Sequence, residues 1–149
     1  MPVTCPRRPV PGRQLSQAEY GTLAEFRFQL ACFLQRRHRA ARAAGLEPQQ
    51  YELLLAIAGL PRKKHPTIKE LASQLLLEHH SVVELADRLE QKGLLARTSL
   101  GTDKRVALLV VTPAGHRALR RVARYSLTQV RTEAPALLRS LRRILRRRS

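Results

Sequence analysis

The sequence predicts a mainly α-helical protein that carries a small β hairpin. Apolar residues recur at helical spacing over most of the 149 residues, with helix-starting Ser, Thr and Pro and helix-ending Gly between the segments. Residues 94–97 and 106–111 differ, because they are rich in β-branched and aliphatic side chains and enclose a polar interval, 98–105. The length suits one integrated domain that is large enough to bury a core.

Residues 1–15 are predicted to form a disordered basic arm. Their prolines and arginines leave too little apolar surface to order the segment, and no apolar stretch typical of a signal peptide is present. The chain also lacks the run of roughly 18 apolar residues that a membrane span needs. The only cysteines, Cys5 and Cys32, are too few for a disulfide framework. We therefore expect a soluble protein of the reducing cytoplasm.

Residues 16–45 predict one long N-terminal helix. Ser16 and Glu19 have the spacing of a capping box, and Gly45 is placed to end the helix. The helix carries an apolar stripe, formed by Tyr20, Leu23, Phe26, Leu30, Phe33 and Leu34. Pro48 suits the first turn of the next helix, whose predicted buried residues are Tyr51, Leu54, Leu55 and Ala58.

Residues 46–112 also contain two short amphipathic helices and then the hairpin. Thr67 and Glu70 form a second capping-box pattern, at the start of the first short helix. Gly93 is placed to end the second. That helix has a buried stripe of Val82, Leu85, Ala86 and Leu89. Two short helices, a tight turn and a two-stranded hairpin are the pattern of a helix-turn-helix followed by a wing.

Residues 113–149 predict C-terminal helices. Thr112 and Pro113 supply an N-cap and a first-turn proline. Pro135 should break the long helix, so that a last amphipathic helix follows. Arginines crowd this segment, whose single acid is Glu133. A solvated face and an auxiliary contact with DNA are both interpretations of these arginines.

Charge and pattern together favour a nucleic-acid partner. Lys and Arg number 28 against 11 acids, and the formal charge of +17 indicates an anionic partner such as nucleic acid or an acidic membrane surface. A helix of this size fits the major groove of DNA, and a basic hairpin beside it can reach the flanking backbone or minor groove. A small α/β core with no partner is the alternative that the pattern alone leaves open.

The polar interval of the hairpin contains Asp103-Lys104-Arg105. This motif is similar to the Asp-x-Arg signature in the wing of MarR-family transcriptional regulators. The stretch 89–94 resembles the end of the family's recognition helix, and the stretch 111–115 resembles its strand-to-helix exit. The resemblance runs from about Leu46 to Gly115. It implies a winged helix-turn-helix fold flanked by long dimerisation helices.

The resemblance implies a sequence-specific regulator that binds double-stranded DNA, as a dimeric repressor on a pseudo-palindromic operator. A small-molecule effector that relieves repression is a further implication, since some family members bind small aromatic acids between the winged domain and the dimer helices. Two rival functions stay open. One is a sequence-indifferent nucleic-acid-binding or architectural protein, and the other is a protein-interaction module that kept the fold and lost DNA binding.

The terminal helices predict a homodimer. They present more apolar stripe than a compact winged helix can cover, and an uncovered stripe of that length would promote aggregation. Pairing residues 16–45 and 113–149 with those of a second copy would bury the stripes that include Leu23, Leu30, Leu34, Leu137, Leu141 and Ile144. It would also place two recognition helices about one DNA turn, roughly 34 Å, apart.

The candidate DNA-binding residues fall on the recognition helix and the wing. On the helix they are His79, His80, Ser81, Val83, Glu84 and Arg88. On the wing they are Lys104 and Arg105. Asp103 is expected to orient Arg105 rather than to contact DNA, because phosphate repels a carboxylate.

Neither a metal site nor catalysis is predicted. His79 and His80 are adjacent on a helix and point about 100° apart, and a structural zinc ion needs about four ligands. The sequence shows no nucleophile–base arrangement and no phosphate-binding loop, so we expect neither an enzyme nor a cofactor. Cys32 has two interpretations, a buried inert cysteine and a redox-sensing thiol.

Overall fold

The structure, a computed structural model, describes residue 12 and residues 14–146. Seven elements follow one another in these residues: α1 (Gln17–Ala43), α2 (Pro48–Ala58), α3 (Ile68–Leu75), α4 (His79–Gln91), β1 (Leu95–Leu100), β2 (Asp103–Val111) and α5 (Pro113–Arg146). The predicted fold, mainly α with a small β wing, is confirmed. Almost all of the predicted basic arm, together with Cys5, Arg147 and Arg148, lies outside the described residues.

The helix ends follow the predicted caps. The Ser16 hydroxyl accepts the Glu19 N–H, and the Glu19 carboxylate accepts the Ser16 N–H at 2.7 Å, which completes a capping box. Gly45, with a φ of 79°, lets the chain leave α1 in a conformation that favours glycine. Pro48 is the first residue of α2.

The second predicted capping box is half wrong. The Thr67 hydroxyl does accept the Glu70 N–H, at 3.2 Å. The Glu70 carboxylate instead accepts hydrogen bonds from Lys64 Nζ at 2.7 Å and from Gln74. The Thr67 N–H is donated to the His65 carbonyl, so it does not need the glutamate.

One core joins the long helices to the helix-turn-helix. It contains Ala41 and Leu46, residues of α2, α3, α4 and both strands, and Leu119 and Val122 of α5. Helix α2 lies at its centre, since it packs against α1, α3, α4, α5 and β2. The core position on α2 belongs to Leu53. The prediction that Leu55 and Ala58 are buried was wrong, since both are exposed, Leu55 to 40%.

The wing strands are longer than predicted. They pair antiparallel from Leu95 with Val111 to Ser99 with Ala107, and a bulge then brings Leu100 opposite Asp103. The polar residues predicted as a loop therefore mostly belong to strands, which is common when one sheet face is solvated. The base of the hairpin is fixed to the start of α3, because the Leu109 N–H donates to the Pro66 carbonyl at 2.9 Å.

Helix α5 is continuous, and the predicted break at Pro135 was wrong. Proline lacks an N–H and so leaves the Arg131 carbonyl without its usual helical donor. The amphipathic pattern nevertheless continues on both sides of Pro135, and the buried face of α5 packs antiparallel along α1. Gln129 Nε2 donates to the Phe33 carbonyl at 2.9 Å. These contacts keep the two segments in one helix. None of the described helices has the length and apolarity needed to cross a membrane.

Candidate nucleic-acid interface

The recognition helix α4 is held by its apolar stripe. Val82, Leu85, Ala86 and Leu89 are buried, as predicted. The turn before α4 is tight: Leu76 has a left-handed φ of 55°, and the Leu77 N–H donates to the Ala72 carbonyl. This turn fixes α4 across α3, so that the opposite face of α4 is free.

The structure brings the predicted helix residues together on this free face. Four of the side chains are exposed, namely His79, His80, Glu84 and Arg88, and two are half-buried, namely Ser81 and Val83. The two histidines occupy the first turn of α4, where unpaired backbone N–H groups carry a partial positive charge. An anionic ligand is favoured at such a position.

The wing residues cluster at the hairpin tip. Gly101, with a φ of 55°, makes the turn, and the exposed side chains of Lys104 and Arg105 follow it on β2. Asp103 Oδ1 accepts the backbone N–H of Arg105 at 3.0 Å. The contact between these two residues therefore fixes the backbone from which the Arg105 guanidinium projects. The guanidinium itself is left free for a ligand in the described structure.

Sequence reasoning missed Arg97, which ties the wing to the recognition helix. From β1, its Nη2 lies 2.5 Å from Asp87 Oδ1, and its Nη1 pairs with Glu90, both on α4. Burial lowers the pKa of Arg97, but the hydrogen bond that Arg97 donates to Asp87 and the charges of Glu90 and Asp87 outweigh it and raise the pKa above its usual range. Asp87, which lies near the free face of α4, is thus held in an ion pair with Arg97 of the wing.

The sequence held a weak signal for this contact. Asp87 and Glu90 are three residues apart and so lie on one face of a helix. On β1, the side chain of Arg97 points to the opposite face of the sheet from those of Ala96 and Thr98. Arg97 is half-buried, whereas these two neighbours are exposed. Only the fold reveals that the two acids and the arginine meet.

The exit from the wing is rigid. The Thr112 hydroxyl donates to the Gly93 carbonyl at 2.7 Å and accepts the Gly115 N–H at 3.1 Å, so it joins the end of α4 to the start of α5. A Cβ on Gly115 would lie 2.0 Å from the Leu94 carbonyl oxygen. Glycine is therefore required at this position of the predicted strand-to-helix exit.

A groove of about 540 Å³ lies between α1 and α5, away from the wing. Its floor is formed by Ala40, Ala43 and Ala44, and its walls by Arg36, Arg39, Arg121 and Tyr125. Arg36 is engaged by Glu133, whose hydrogen bond and charge raise the pKa of Arg36 above its usual range. Arg39 and Arg121 are in no ion pair among residues 14–146.

The remaining candidate residues do not converge. His79 and His80 belong to no group of three or more potential metal ligands in the described part of the chain. Cys32 is a free, half-buried cysteine on α1, rather than fully buried. Its redox role remains a prediction.

Comparison with known proteins shows a similarity to one family of regulators. Residues 44–106 match the model described as MarR family. The transcriptional repressor MdtR of Bacillus subtilis (strain 168) is 41% identical over 73 residues, 48% of this chain and 44% of that protein. A Thauera aromatica protein named for transcriptional regulation of the hcr operon is 33% identical over 96 residues, 64% of this chain and 56% of that protein. The chain thus matches about half the length of these two relatives.

The fold is shared over a larger part of the chain. Sco3205, a MarR family transcriptional regulator from Streptomyces coelicolor solved in complex with DNA, is 26% identical and has a TM-score of 0.70. The superposition covers 91% of this chain and 88% of that one. Together with the wing, the recognition helix and the match over residues 44–106, this shows that the chain is similar in sequence and fold to winged-helix transcriptional regulators of the MarR family.

Proposed function

We propose that the protein is a sequence-specific, dimeric DNA-binding repressor. The observation that carries this proposal is the free face of α4, bordered by a wing whose Arg105 is positioned by Asp103. The face offers side chains for base edges, and the wing offers cations for phosphates. Repression is supported by the similarity to MdtR, which is a repressor.

The test is selection of genomic DNA fragments by the purified protein. A single motif with two-fold symmetry is expected, because a symmetric dimer presents two recognition helices to two half-sites. Arg88→Ala and Ser81→Ala should relax the motif at particular positions. Enrichment without any motif would instead support the sequence-indifferent rival, in which phosphate contacts alone bind DNA. If the protein retained no DNA even at low salt, this would support the rival function of a protein-interaction module that has lost DNA binding.

The proposed dimer is supported by exposed apolar residues along the long helices. Leu23 and Tyr20 of α1 are exposed, as are Leu127, Leu138 and Leu145 of α5, the last to 67%. Within one chain, Leu137, Leu141 and Ile144 are half-buried, so the exposed stripe of α5 differs from the predicted one. A second copy would cover these residues.

Sedimentation tests the dimer. Wild type should sediment as a dimer at micromolar concentration, and Leu127→Asp/Leu138→Asp should shift it towards monomer because two charges would be buried without partners. Leu76→Asp is the matched control, since Leu76 is 84% exposed in the turn before α4 and should leave the dimer intact. A monomeric wild type would refute the proposal.

We also propose that the groove between α1 and α5 binds an anionic effector that relieves repression. Its free guanidinium groups, from Arg39 and Arg121, and the ring of Tyr125 suit a small aromatic acid. Salicylate serves as the probe. It should raise the melting temperature of wild type but not of Arg39→Gln/Arg121→Gln, and it should weaken DNA binding only in wild type. An equal response of both proteins would place any effector elsewhere.

A further inference from the structure

All the arginines of α5 lie on one face of the helix. Arg117, Arg120, Arg121, Arg124 and Arg131 occupy its first part, and Arg139, Arg142, Arg143 and Arg146 its last part. At about 100° per residue, all of them fall within an arc of about 140°. Glu133, the single acid of α5, lies on the opposite side of the helix. We call this surface the arginine face.

The arginine face is exposed and unpaired. Every one of its arginines is exposed to solvent. None of them forms an ion pair within residues 14–146, where the acids Glu133, Glu52 and Asp87 pair with arginines of α1 and β1 instead. Spans such as Arg120 to Arg124 and Arg142 to Arg146 place like charges one turn apart, which destabilises a helix. An anionic partner would remove this repulsion.

The face is separate from the DNA-binding surface of the winged helix. Helix α5 packs against α1, α2 and β2, whereas α4 packs against α2, α3 and β1. Leu119 and Val122 fix the buried side of α5 to the core, so the arginine face points away from that core. A duplex held by α4 and the wing therefore leaves the arginine face free for another ligand.

We propose that the arginine face binds the phosphate backbone of a second DNA duplex, so that the protein can bridge two DNA segments. The array from Arg117 to Arg146 is about 44 Å long, and DNA carries one phosphate charge per 1.7 Å of helix axis. The cations of α5 are all arginine, with no lysine. A guanidinium binds phosphate through two parallel hydrogen bonds, which suits it to this role.

An anionic membrane is a less suitable partner. A helix that lies on a membrane inserts its apolar side between the lipids. In α5 that side contains the buried residues Leu119, Val122, Gln129 and Ser140, which are already packed in the protein. The exposed Leu127, Leu138 and Leu145 belong to the proposed dimer interface. The middle of the arginine face carries Thr128, Thr132 and Pro135, and the exposed Leu138 and Tyr125 lie only at its two edges.

A sandwich assay tests this proposal. One duplex is fixed to beads, wild-type protein is bound to it, and capture of a second, fluorescent duplex is measured at rising salt. The variant Arg117→Gln/Arg139→Gln/Arg143→Gln changes exposed arginines that lie away from the proposed dimer residues Leu127 and Leu138. It should bind the fixed duplex with unchanged affinity but capture the second one weakly. For capture of the second duplex, the slope of log affinity against log salt concentration should be less steep than in wild type. The expected difference is about 2.7 units, because three phosphate contacts are lost.

The matched control removes equal charge outside α5. Arg27→Gln/Arg42→Gln/Arg62→Gln changes three exposed arginines that belong neither to the arginine face nor to the groove, and it should capture the second duplex like wild type. Equal losses in both variants would show that net charge, rather than the face, attracts the duplex.

Three further outcomes would overturn the proposal. The first is capture by the α5 variant that equals wild type. The second is capture that is lost in Arg105→Ala and kept in the α5 variant, since this would assign both duplexes to the winged helices. The third is binding of wild type to vesicles of phosphatidylglycerol without capture of a second duplex. The proposal does not depend on operator recognition, because the duplexes can have any sequence.

Discussion

Arg97 Nη2 lies 2.5 Å from Asp87 Oδ1, and this contact joins the wing to the recognition helix. Arg97 also pairs with Glu90, so one guanidinium of the wing holds two acids of α4. Because Asp87 is paired with Arg97 of the same protein, its negative charge is not free to repel DNA phosphates. The orientation of the wing relative to α4 thus depends on side chains that need not touch a ligand.

The first prediction concerns this contact. Asp87→Asn should weaken DNA binding several-fold, because the wing would lose an anchor, whereas simple repulsion between the carboxylate and phosphate predicts tighter binding. The free energy of unfolding should fall by only about 1 kcal/mol or less, as for other partly exposed ion pairs. Fluorescence anisotropy with a labelled duplex measures the affinity. Asp87→Asn binding more tightly than wild type would disprove a positioning role.

The second prediction concerns the wing tip. Arg105→Ala should weaken DNA binding and reduce the salt slope by about one unit, as expected for one lost phosphate contact. Asp103→Ala should also weaken binding although it removes a negative charge, because the Arg105 N–H loses its acceptor. Titrations at several salt concentrations measure both effects. An Asp103→Ala variant that binds more tightly would show that the carboxylate only repels DNA.

The third prediction concerns the exit from the wing. Gly115→Ala should lower the free energy of unfolding by about 1–3 kcal/mol, because its new methyl group would meet the Leu94 carbonyl. Gly21→Ala is the control in α1, where a Cβ meets nothing within 4 Å. It should raise the stability by about 0.5–1 kcal/mol, the usual gain for this change inside a helix. Urea denaturation of the three proteins compares them.

The fourth prediction concerns pH. Hydrogen bonds from Lys64 and Gln74 hold the pKa of Glu70 below its usual range. The carboxylate therefore contributes stability above the unfolded-state pKa of about 4.3, and this contribution is lost as the pH falls through the lower folded-state pKa. Carboxyl NMR should find the Glu70 midpoint below that of a model peptide. Lys64→Met should raise it, and an unchanged midpoint would exclude the ion pair in solution.

The fifth prediction concerns the start of α4. His79→Ala/His80→Ala should weaken DNA binding without changing the melting temperature, because both side chains are exposed. Leu85→Ala offers the contrasting case, since it removes a buried side chain and should cost about 2–5 kcal/mol of stability. Equal DNA affinity of wild type and the histidine variant would remove both residues from the interface.

Features set by local chemistry were predictable from the sequence. The capping box at Ser16, the proline at position 48 and the buried stripe of α4 depend on residues within one or two turns of each other, and all three predictions are confirmed. The wing was also predicted, but the predicted strands were too short. Polar residues on a solvated hairpin resemble a loop in the sequence.

Features set by distant contacts were not predictable. The break at Pro135 was wrong because packing along α1 outweighs one missing hydrogen bond. The exposure of Leu55 and the pairing of Arg97 depend on which elements surround α2 and β1, and a single sequence does not contain that information. The individual DNA contacts of the candidate residues stay predictions.

The shared core also has a thermodynamic consequence. Ala41 of α1 and Leu119 and Val122 of α5 are buried in the same cluster as Val82 and Leu89 of the recognition helix. The segment 46–112 alone would expose that cluster to water. The free energy lost with this burial would exceed the free energy of unfolding of a small domain. The slowest amide hydrogens of α4 and of the first half of α5 should therefore exchange at one common rate, through a single cooperative unfolding event.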